Sequence, residues 1–163
     1  MPRNFDSIII GAGQAGPSLA ARLTQSGRKV AMVERKLFGG TCVNTGCIPT
    51  KTLVASAYVA RKAAIAAEYG VVAREVSVNM RAVKARKDRV SGKSRTSVEG
   101  WLRGMQNCTV FDGHARFESP HTLRVGDEVL TAPEIFLNVG GRAIVPNFPG
   151  GDSVPFLTNV GIL

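Results

Sequence analysis

A glycine-rich segment near the N-terminus constrains the fold of this chain more than any other feature. The segment Gly11–Gly16 reads Gly-Ala-Gly-Gln-Ala-Gly and follows a short apolar run at 5–10. The next stretch, 14–25, has apolar residues at helical spacing, and a second apolar run follows at 29–34. A strand, a helix and a strand in this order predict a βαβ unit with a parallel sheet and a right-handed crossover.

The positions of the glycines in this unit predict a dinucleotide site. Gly11 permits a tight turn, Gly13 lets the backbone approach a pyrophosphate, and Gly16 allows close packing of helix on strand. The helix N-terminus adds free N–H groups and the positive end of the helix dipole. Glu34 ends the second strand, where a carboxylate can bind the hydroxyl pair of an adenosine ribose. The basic pair Arg35-Lys36 keeps a 2′-phosphorylated ribose possible, and these residues alone do not distinguish FAD from NAD.

The remainder of the chain predicts two long helices and then a small antiparallel sheet. The helices are expected over 49–67 and 80–102. Strands are then expected over 109–111, 115–117, 122–125 and 128–130, with a hairpin turn at Gly126-Asp127, and a last buried strand over 135–139. The predicted fold is α/β: a Rossmann-like domain with a parallel sheet plus a small antiparallel β-meander, over residues 1–145. Residues 146–163 hold three prolines and are expected to be a loose linker.

The composition fits one globular domain with an excess of positive charge. The chain has 163 residues, 44% of them hydrophobic, and a formal net charge of +9. No apolar stretch approaches the roughly 20 residues that span a bilayer, and no secretory signal precedes the first strand, so a cytoplasmic location without membrane contact is expected. Basic residues cluster at 81–95, opposed only by Asp88. We expect this cluster to be a solvated helix face and the chain to have no nucleic-acid partner, with nucleic-acid binding or a positive field around an anionic cofactor as alternatives.

The second chemical feature is a pair of cysteines, one within the glycine-rich loop at 39–46 and one just beyond it. Cys42 and Cys47 are separated by four residues, which is not a C-x-x-C motif. The third cysteine and the two histidines stand at no spacing typical of zinc, so no metal site is expected. A cytosolic dithiol is expected to cycle catalytically, and a helix N-terminus beside it favours the thiolate. The alternative is a pair of unrelated buried cysteines. Cys108, alone at a strand start, is expected to be an inert core thiol.

The run Gly39–Lys51, Gly-Gly-Thr-Cys-Val-Asn-Thr-Gly-Cys-Ile-Pro-Thr-Lys, resembles the signature of FAD-dependent pyridine nucleotide–disulfide oxidoreductases. That family includes dihydrolipoamide dehydrogenase, glutathione reductase and mercuric reductase. The resemblance extends over the whole chain, and the continuation 50–57 is most similar to mercuric-reductase-like members. It implies FAD as cofactor, NAD(P)H as co-substrate, a small-molecule substrate and a homodimer. The second nucleotide motif of the family is missing, so the chain is expected to be an N-terminal portion that is inactive alone.

The resemblance also assigns roles to residues. Cys42 would be the interchange thiol, and Cys47 the thiol against the flavin. Lys51 would lie near the flavin N5 and stabilise negative charge on the reduced ring. The remaining expected contacts to FAD are Gly11, Ala12, Gly13, Ala15, Gly16, Glu34, Arg35, Gly40, Thr41, Ala115, Val139, Gly140 and Gly141. Electrons would pass from nicotinamide to FAD, to the Cys42–Cys47 disulfide, and on to an acceptor such as lipoamide, glutathione or mercuric ion.

One segment departs from the family pattern. After the last strand the family usually has Ala-Thr-Gly, whereas this chain has Asn138-Val139-Gly140. The threonine hydroxyl is lost, and contacts through the backbone of Gly140 are expected to remain. Two other classes stay open: a non-catalytic FAD- or nucleotide-binding module, and a basic nucleic-acid-binding fragment using 81–95.

Overall fold

The computed structural model describes residues 1–151 and 153–163. In chain order the elements are β1 (Arg3–Asn4), β2 (Ser7–Ile10), α1 (Ala15–Gln25), β3 (Val30–Glu34), α2 (Gly40–Asn44), α3 (Cys47–Ala64), α4 (Met80–Arg103), β4 (Cys108–Asp112), β5 (Ala115–Ser119), β6 (Thr122–Val125), β7 (Glu128–Thr131), β8 (Glu134–Leu137) and α5 (Asn159–Ile162), with a 3₁₀ helix at Ala66–Tyr69.

The main sheet is parallel, with strands in the order β4-β3-β2-β8. Its two central strands are apolar and almost completely buried, because both faces of the sheet are covered. On one face Ile9, Val30 and Met32 pack with Ala20 of α1 and Leu102 of α4. All four strands end at the same edge of the sheet, which is the edge where open α/β sheets bind ligands.

The second sheet covers the opposite face. Its strands run β1-β7-β6-β5, with β5, β6 and β7 forming an antiparallel meander and β1 pairing in parallel with β7. Leu123, Val125 and Leu130 of the meander pack against Ile8 and Val33 of the main sheet. The predicted fold class, a Rossmann-like parallel sheet with a small β-meander, is therefore confirmed.

Several predicted boundaries were wrong. The loop expected at 39–46 contains the short helix α2, and α3 begins at Cys47 rather than at Pro49. Pro49 can occupy the third position of α3 because N–H groups in the first turn have no partner within the helix. The last strand ends at Leu137 rather than at Val139. The assignment of 146–163 as a linker stays a prediction, and this segment contains the short helix α5. Within the described residues, no helix is both long and apolar enough to span a membrane.

Candidate dinucleotide site and thiol pair

The turn between β2 and α1 has room only for glycine at two positions. Gly11 has φ +106°, and a Cβ there would lie 2.2 Å from the carbonyl oxygen of Asn138. At Gly16 a Cβ would lie 2.3 Å from the carbonyl oxygen of Gly11, so a side chain would push α1 away from the sheet. The turn therefore has the compact geometry that the sequence predicts.

The same turn leaves backbone donors available. Gln14 precedes the first residue of α1, and no side chain caps the start of this helix. Within the described residues, the N–H groups of Gly13 and Gln14 donate to no backbone carbonyl. A Cβ at Gly13 would meet only the Asn138 amide at 3.5 Å and Gly40 Cα at 4.0 Å. Uncapped N–H groups at a helix start suit an anionic phosphate, and the absence of a side chain at Gly13 lets the phosphate approach them.

Glu34 is held beside this turn by backbone donors. One carboxylate oxygen accepts from Ala12 N at 2.9 Å and the other from Lys36 N at 2.8 Å. These bonds fix the carboxylate at the end of β3 while leaving lone pairs for further donors. Arg35 is exposed beside it. The carbonyl of Glu34 accepts from Gly113 N at 2.8 Å, which brings the start of β5, at Ala115, towards the same edge.

The cysteine-bearing segment is attached directly to the glycine-rich turn at 11–16. Gly39 N donates to Ala12 O at 2.8 Å, and the side-chain amide of Gln14 donates to Gly39 O at 3.3 Å. Gly40 has φ +59°, and a Cβ there would lie 2.8 Å from Gly13 Cα. The two loops therefore touch backbone to backbone, which only glycine allows.

A short helix positions the first cysteine next to the second. Asn44, the last residue of α2, donates from its side chain to the carbonyls of Phe38 and Gly40, each at 2.9 Å. A Cβ at Gly46 would lie 2.9 Å from Thr41 O, so the chain turns tightly between the two cysteines. Cys47 is exposed in the first turn of α3, whereas Cys42 is partly buried, and both are thiols.

The pKa of Cys42 is set by contributions of opposite sign. The pKa of Cys42 is raised, first by the hydrogen bond with the Cys47 side chain and then by desolvation. The backbone N–H of Cys47, in the first turn of α3, lowers the pKa of Cys42 in the direction expected of a helix N-terminus, but the neighbouring thiol and burial outweigh it. Lys51, exposed on α3, acts in the opposite direction and lowers the pKa of Cys42, but it is the weakest contribution.

Burial also raises the pKa of the Cys108 thiol, to about 11. Cys108 begins β4 and packs against the core on the helix side of the main sheet. A thiol that keeps its proton far above neutral pH is a poor nucleophile, which agrees with the expectation of an inert core cysteine.

The segment after β8 approaches the glycine-rich turn from the other side. Asn138 N donates to Ile10 O at 2.8 Å, while Val139, Gly140 and Gly141 continue beyond it as exposed residues. Sequence reasoning missed three residues that hold this site together, Gln14, Asn44 and Asn138. In the sequence each of these residues is only an amide side chain near a glycine-rich turn. That pattern is too common to identify a functional residue. Among the described residues, no three histidine, cysteine or acidic side chains are grouped as a metal site would require.

Comparisons with known proteins define the class to which this fold and site belong. A family model described as pyridine nucleotide-disulphide oxidoreductase matches residues 5–161. The chain therefore belongs to this family, whose members are FAD-dependent flavoproteins with a Rossmann-like fold and NAD(P)H as co-substrate.

Individual relatives support the same assignment. Dihydrolipoyl dehydrogenase of Staphylococcus aureus is 38% identical over 158 residues, covering 94% of this chain and 34% of the relative. The probable pyridine nucleotide-disulfide oxidoreductase RclA of Escherichia coli (strain K12) is 36% identical over 157 residues, covering 93% of this chain and 32% of the relative. The solved structure of the HOCl-induced flavoprotein disulfide reductase RclA from Escherichia coli has a TM-score of 0.77 at 34% identity, covering 96% of this chain and 33% of that one.

The chain thus spans about a third of the length of these relatives. Their names do not single out a mercuric-reductase-like member, so the closer resemblance suggested by residues 50–57 stays a prediction.

Proposed function

We propose that this chain is the FAD-binding, thiol-bearing part of an oxidoreductase that passes electrons from NAD(P)H to a disulfide or metal-ion acceptor. The observation that supports this best is the direct contact between the glycine-rich turn at 11–16, which we propose as the phosphate-binding turn, and the loop of the cysteines. This contact lies at Gly13 and Gly40. A dinucleotide held by the turn would extend past a pair of thiols. Membership of the family supplies the nature of the dinucleotide, FAD.

The residues present fit FAD. The uncapped N-terminus of α1 and the open face of Gly13 suit the pyrophosphate, and the Glu34 carboxylate suits the ribose hydroxyl pair. The remaining proposed contacts are Gly11, Ala12, Ala15, Gly16, Arg35, Gly40, Thr41, Lys51, Ala115, Val139, Gly140 and Gly141. When bound, the flavin supplies two-electron chemistry between a nicotinamide and a thiol pair.

The two thiols have separate tasks in this proposal. A Cys42–Cys47 disulfide that takes up two electrons and two protons becomes two thiols. Cys42, as its thiolate, then attacks a substrate disulfide and releases one substrate thiol, and Cys47 attacks the mixed disulfide and releases the other. The protein disulfide is restored and the substrate is reduced.

The raised pKa of Cys42 adds a requirement to this sequence of steps. Only the thiolate attacks, so a base must remove the Cys42 proton when the substrate is in place. The family resemblance implies a His–Glu pair contributed by the partner subunit for this purpose, and we therefore propose a homodimer. Lys51 favours the thiolate state and would stabilise negative charge beside the thiol pair.

The acceptor follows from the thiol chemistry. A dithiol reduces small disulfides by exchange and also binds soft or thiophilic metal ions. One solved structure of RclA from Escherichia coli is a Cu(II) complex, and it has a TM-score of 0.75 to this chain. We propose a small disulfide or a metal ion as acceptor, with mercuric-reductase-like and dihydrolipoamide-dehydrogenase-like activities as the two forms to compare.

The test uses the full polypeptide, purified without added cofactor. Heat-released flavin should be FAD, and NAD(P)H should reduce lipoamide, glutathione disulfide or a metal ion at a rate that Cys42→Ser and Cys47→Ser each abolish. Both variants should retain FAD, and Cys108→Ser should retain FAD and turnover. A folded protein that takes up NAD and ignores FAD at this site would refute the proposal. FAD without turnover of any acceptor would favour the non-catalytic module.

A further inference from the structure

Asn138 stands at the point where the last strand of the main sheet meets the phosphate-binding turn. Its side-chain amide donates to the carbonyl oxygen of Gly11 at 2.9 Å, and its backbone N–H donates to Ile10 O at 2.8 Å. Asn138 thus contacts, with both side chain and backbone, the two residues at which β2 becomes the turn.

The amide of Asn138 is surrounded by the glycines of the turn. A Cβ placed on Gly16 would lie 3.0 Å from Asn138 Nδ2, and a Cβ placed on Gly13 would lie 3.5 Å from the same atom. A Cβ placed on Gly11 would lie 2.2 Å from the backbone oxygen of Asn138. The missing side chains therefore leave the space that the asparagine fills. The family pattern at this position has alanine, which has no donor for the Gly11 carbonyl.

We propose that Asn138 is a positioning residue for the pyrophosphate of the bound cofactor. Gly11 adopts a left-handed conformation that a flexible glycine can leave, and the amide holds its carbonyl in place. A fixed Gly11 keeps the following N–H groups of Gly13 and Gln14 in one arrangement before the ligand arrives. Ordering them in advance lowers the entropic cost of binding. The inference rests on the proposed function of this turn as an FAD site.

The experiment measures binding to the full polypeptide after its flavin is removed. FAD, ADP and adenosine are titrated by calorimetry against wild type, Asn138→Ala and Asn138→Asp. Leu137→Ala is the control, because Leu137 is the adjacent residue and is 63% exposed. Asn138→Ala should weaken FAD and ADP about three- to tenfold, the worth of one neutral hydrogen bond. Adenosine, which lacks the pyrophosphate, should change less than about twofold if the hydrogen bond acts through the phosphates.

Asn138→Asp has nearly the same shape, so it remains informative if the alanine variant folds poorly. Its carboxylate cannot donate to the Gly11 carbonyl and repels a diphosphate, and it should weaken ADP more than Asn138→Ala does. Leu137→Ala should bind all three ligands as wild type does. Equal losses for ADP and adenosine would show a general structural role and overturn the inference, as would unchanged affinities in both Asn138 variants. A wild type that binds neither FAD nor ADP would refute the proposed function itself, and the inference with it.

Discussion

Cys42 and Cys47 are close in sequence and occupy different surroundings. Cys42 is partly buried within α2 with a raised pKa, whereas Cys47 is exposed where α3 starts. Two thiols in one environment would be interchangeable, and these are not. The difference is the physical basis for giving them separate tasks.

The division of labour between the thiols can be tested with flavin spectra. In Cys42→Ser of the full polypeptide, the thiolate of Cys47 remains alone beside oxidised flavin, and a long-wavelength charge-transfer band should appear without any reductant. In Cys47→Ser no such band should form. Lys51→Ala should weaken the band in the Cys42→Ser background, because a positive charge favours the thiolate. Visible absorption between pH 6 and 9 is the measurement, and Cys108→Ser is the control. A band in Cys47→Ser alone would reverse the roles.

Cys108 gives a prediction about alkaline stability. Its folded-state pKa lies at about 11, above the ordinary value of 9.0, because the thiol is buried. The folded chain therefore holds this proton more tightly than the unfolded chain does. The contribution to stability is complete below the ordinary pKa and is lost as pH rises from 9.0 through about 11.

Urea titrations across that window should show a free energy of unfolding that falls more steeply for wild type than for Cys108→Ala. Cys42 also has a raised pKa and is present in both proteins, so the difference between their slopes isolates Cys108. Parallel slopes would mean that Cys108 ionises in the folded chain as freely as in the unfolded one.

At the scale of the elements, the contact between α2 and the proposed phosphate-binding turn depends on Gly40. Alanine there would need a left-handed conformation at φ +59° and would bring a Cβ to 2.8 Å from Gly13 Cα. We expect Gly40→Ala to separate the two loops, lower the thermal unfolding midpoint and weaken FAD binding. Strain of this kind typically costs about 1–3 kcal/mol.

Gly92 provides the matched control for this substitution. It lies inside α4, and a Cβ there would meet nothing within 4 Å. Gly92→Ala should therefore raise stability by about 0.5–1 kcal/mol, since alanine suits a helix interior better than glycine. Differential scanning calorimetry of both variants is the test. If Gly40→Ala were as stable as Gly92→Ala, the loops would not be in close contact.

The elements that sequence predicted well are those specified by local residues. The strand, glycine turn and helix at 5–25 follow from apolar spacing and from Gly11 and Gly16, all within one βαβ unit. The helix α2 was missed because its five residues contain no periodic signal, and Asn44 holds it through the carbonyls of Phe38 and Gly40. Periodicity cannot predict a contact of this kind.

The features that sequence did not predict depend on contacts between residues far apart in the chain. The two-residue strand β1 exists because Arg3 and Asn4 pair with Leu130 and Thr131 of β7, far along the chain. The Asn138–Gly11 hydrogen bond joins residues 127 positions apart. The glycines, Glu34 and the cysteines are identifiable from sequence because their chemistry needs particular residue types. The amides that orient them become visible only after the chain has folded.

At the scale of the whole molecule, the net charge of +9 is distributed unevenly over the fold. Of the cations on α4, Lys84 and Lys87 both pair with Asp88 at 2.7 Å, which lowers the pKa of that carboxyl to about 2. Arg86 donates to the carbonyl of Thr52 and helps join α4 to α3. Among the described residues, three of the seven basic side chains at 81–95 are therefore engaged within the protein, and of these Arg86 joins the two long helices.

The cations that remain limit what the chain can do with nucleic acid. Among the described residues, four basic side chains of this cluster have neither an ion-pair nor a hydrogen-bond partner within the protein: Arg81, Arg89, Lys93 and Arg95. Four phosphate contacts would give a slope of log Kobs against log salt of about −3.6.

We expect duplex DNA to bind weakly, without sequence preference, and with a slope no steeper than this. The measurement is fluorescence anisotropy with labelled duplex DNA at salt concentrations between about 50 and 200 mM. Arg89→Gln combined with Lys93→Gln should flatten the slope by about two contacts and leave the FAD content of the full polypeptide unchanged. A slope steeper than about −6 together with preference for one sequence would instead support the nucleic-acid-binding class.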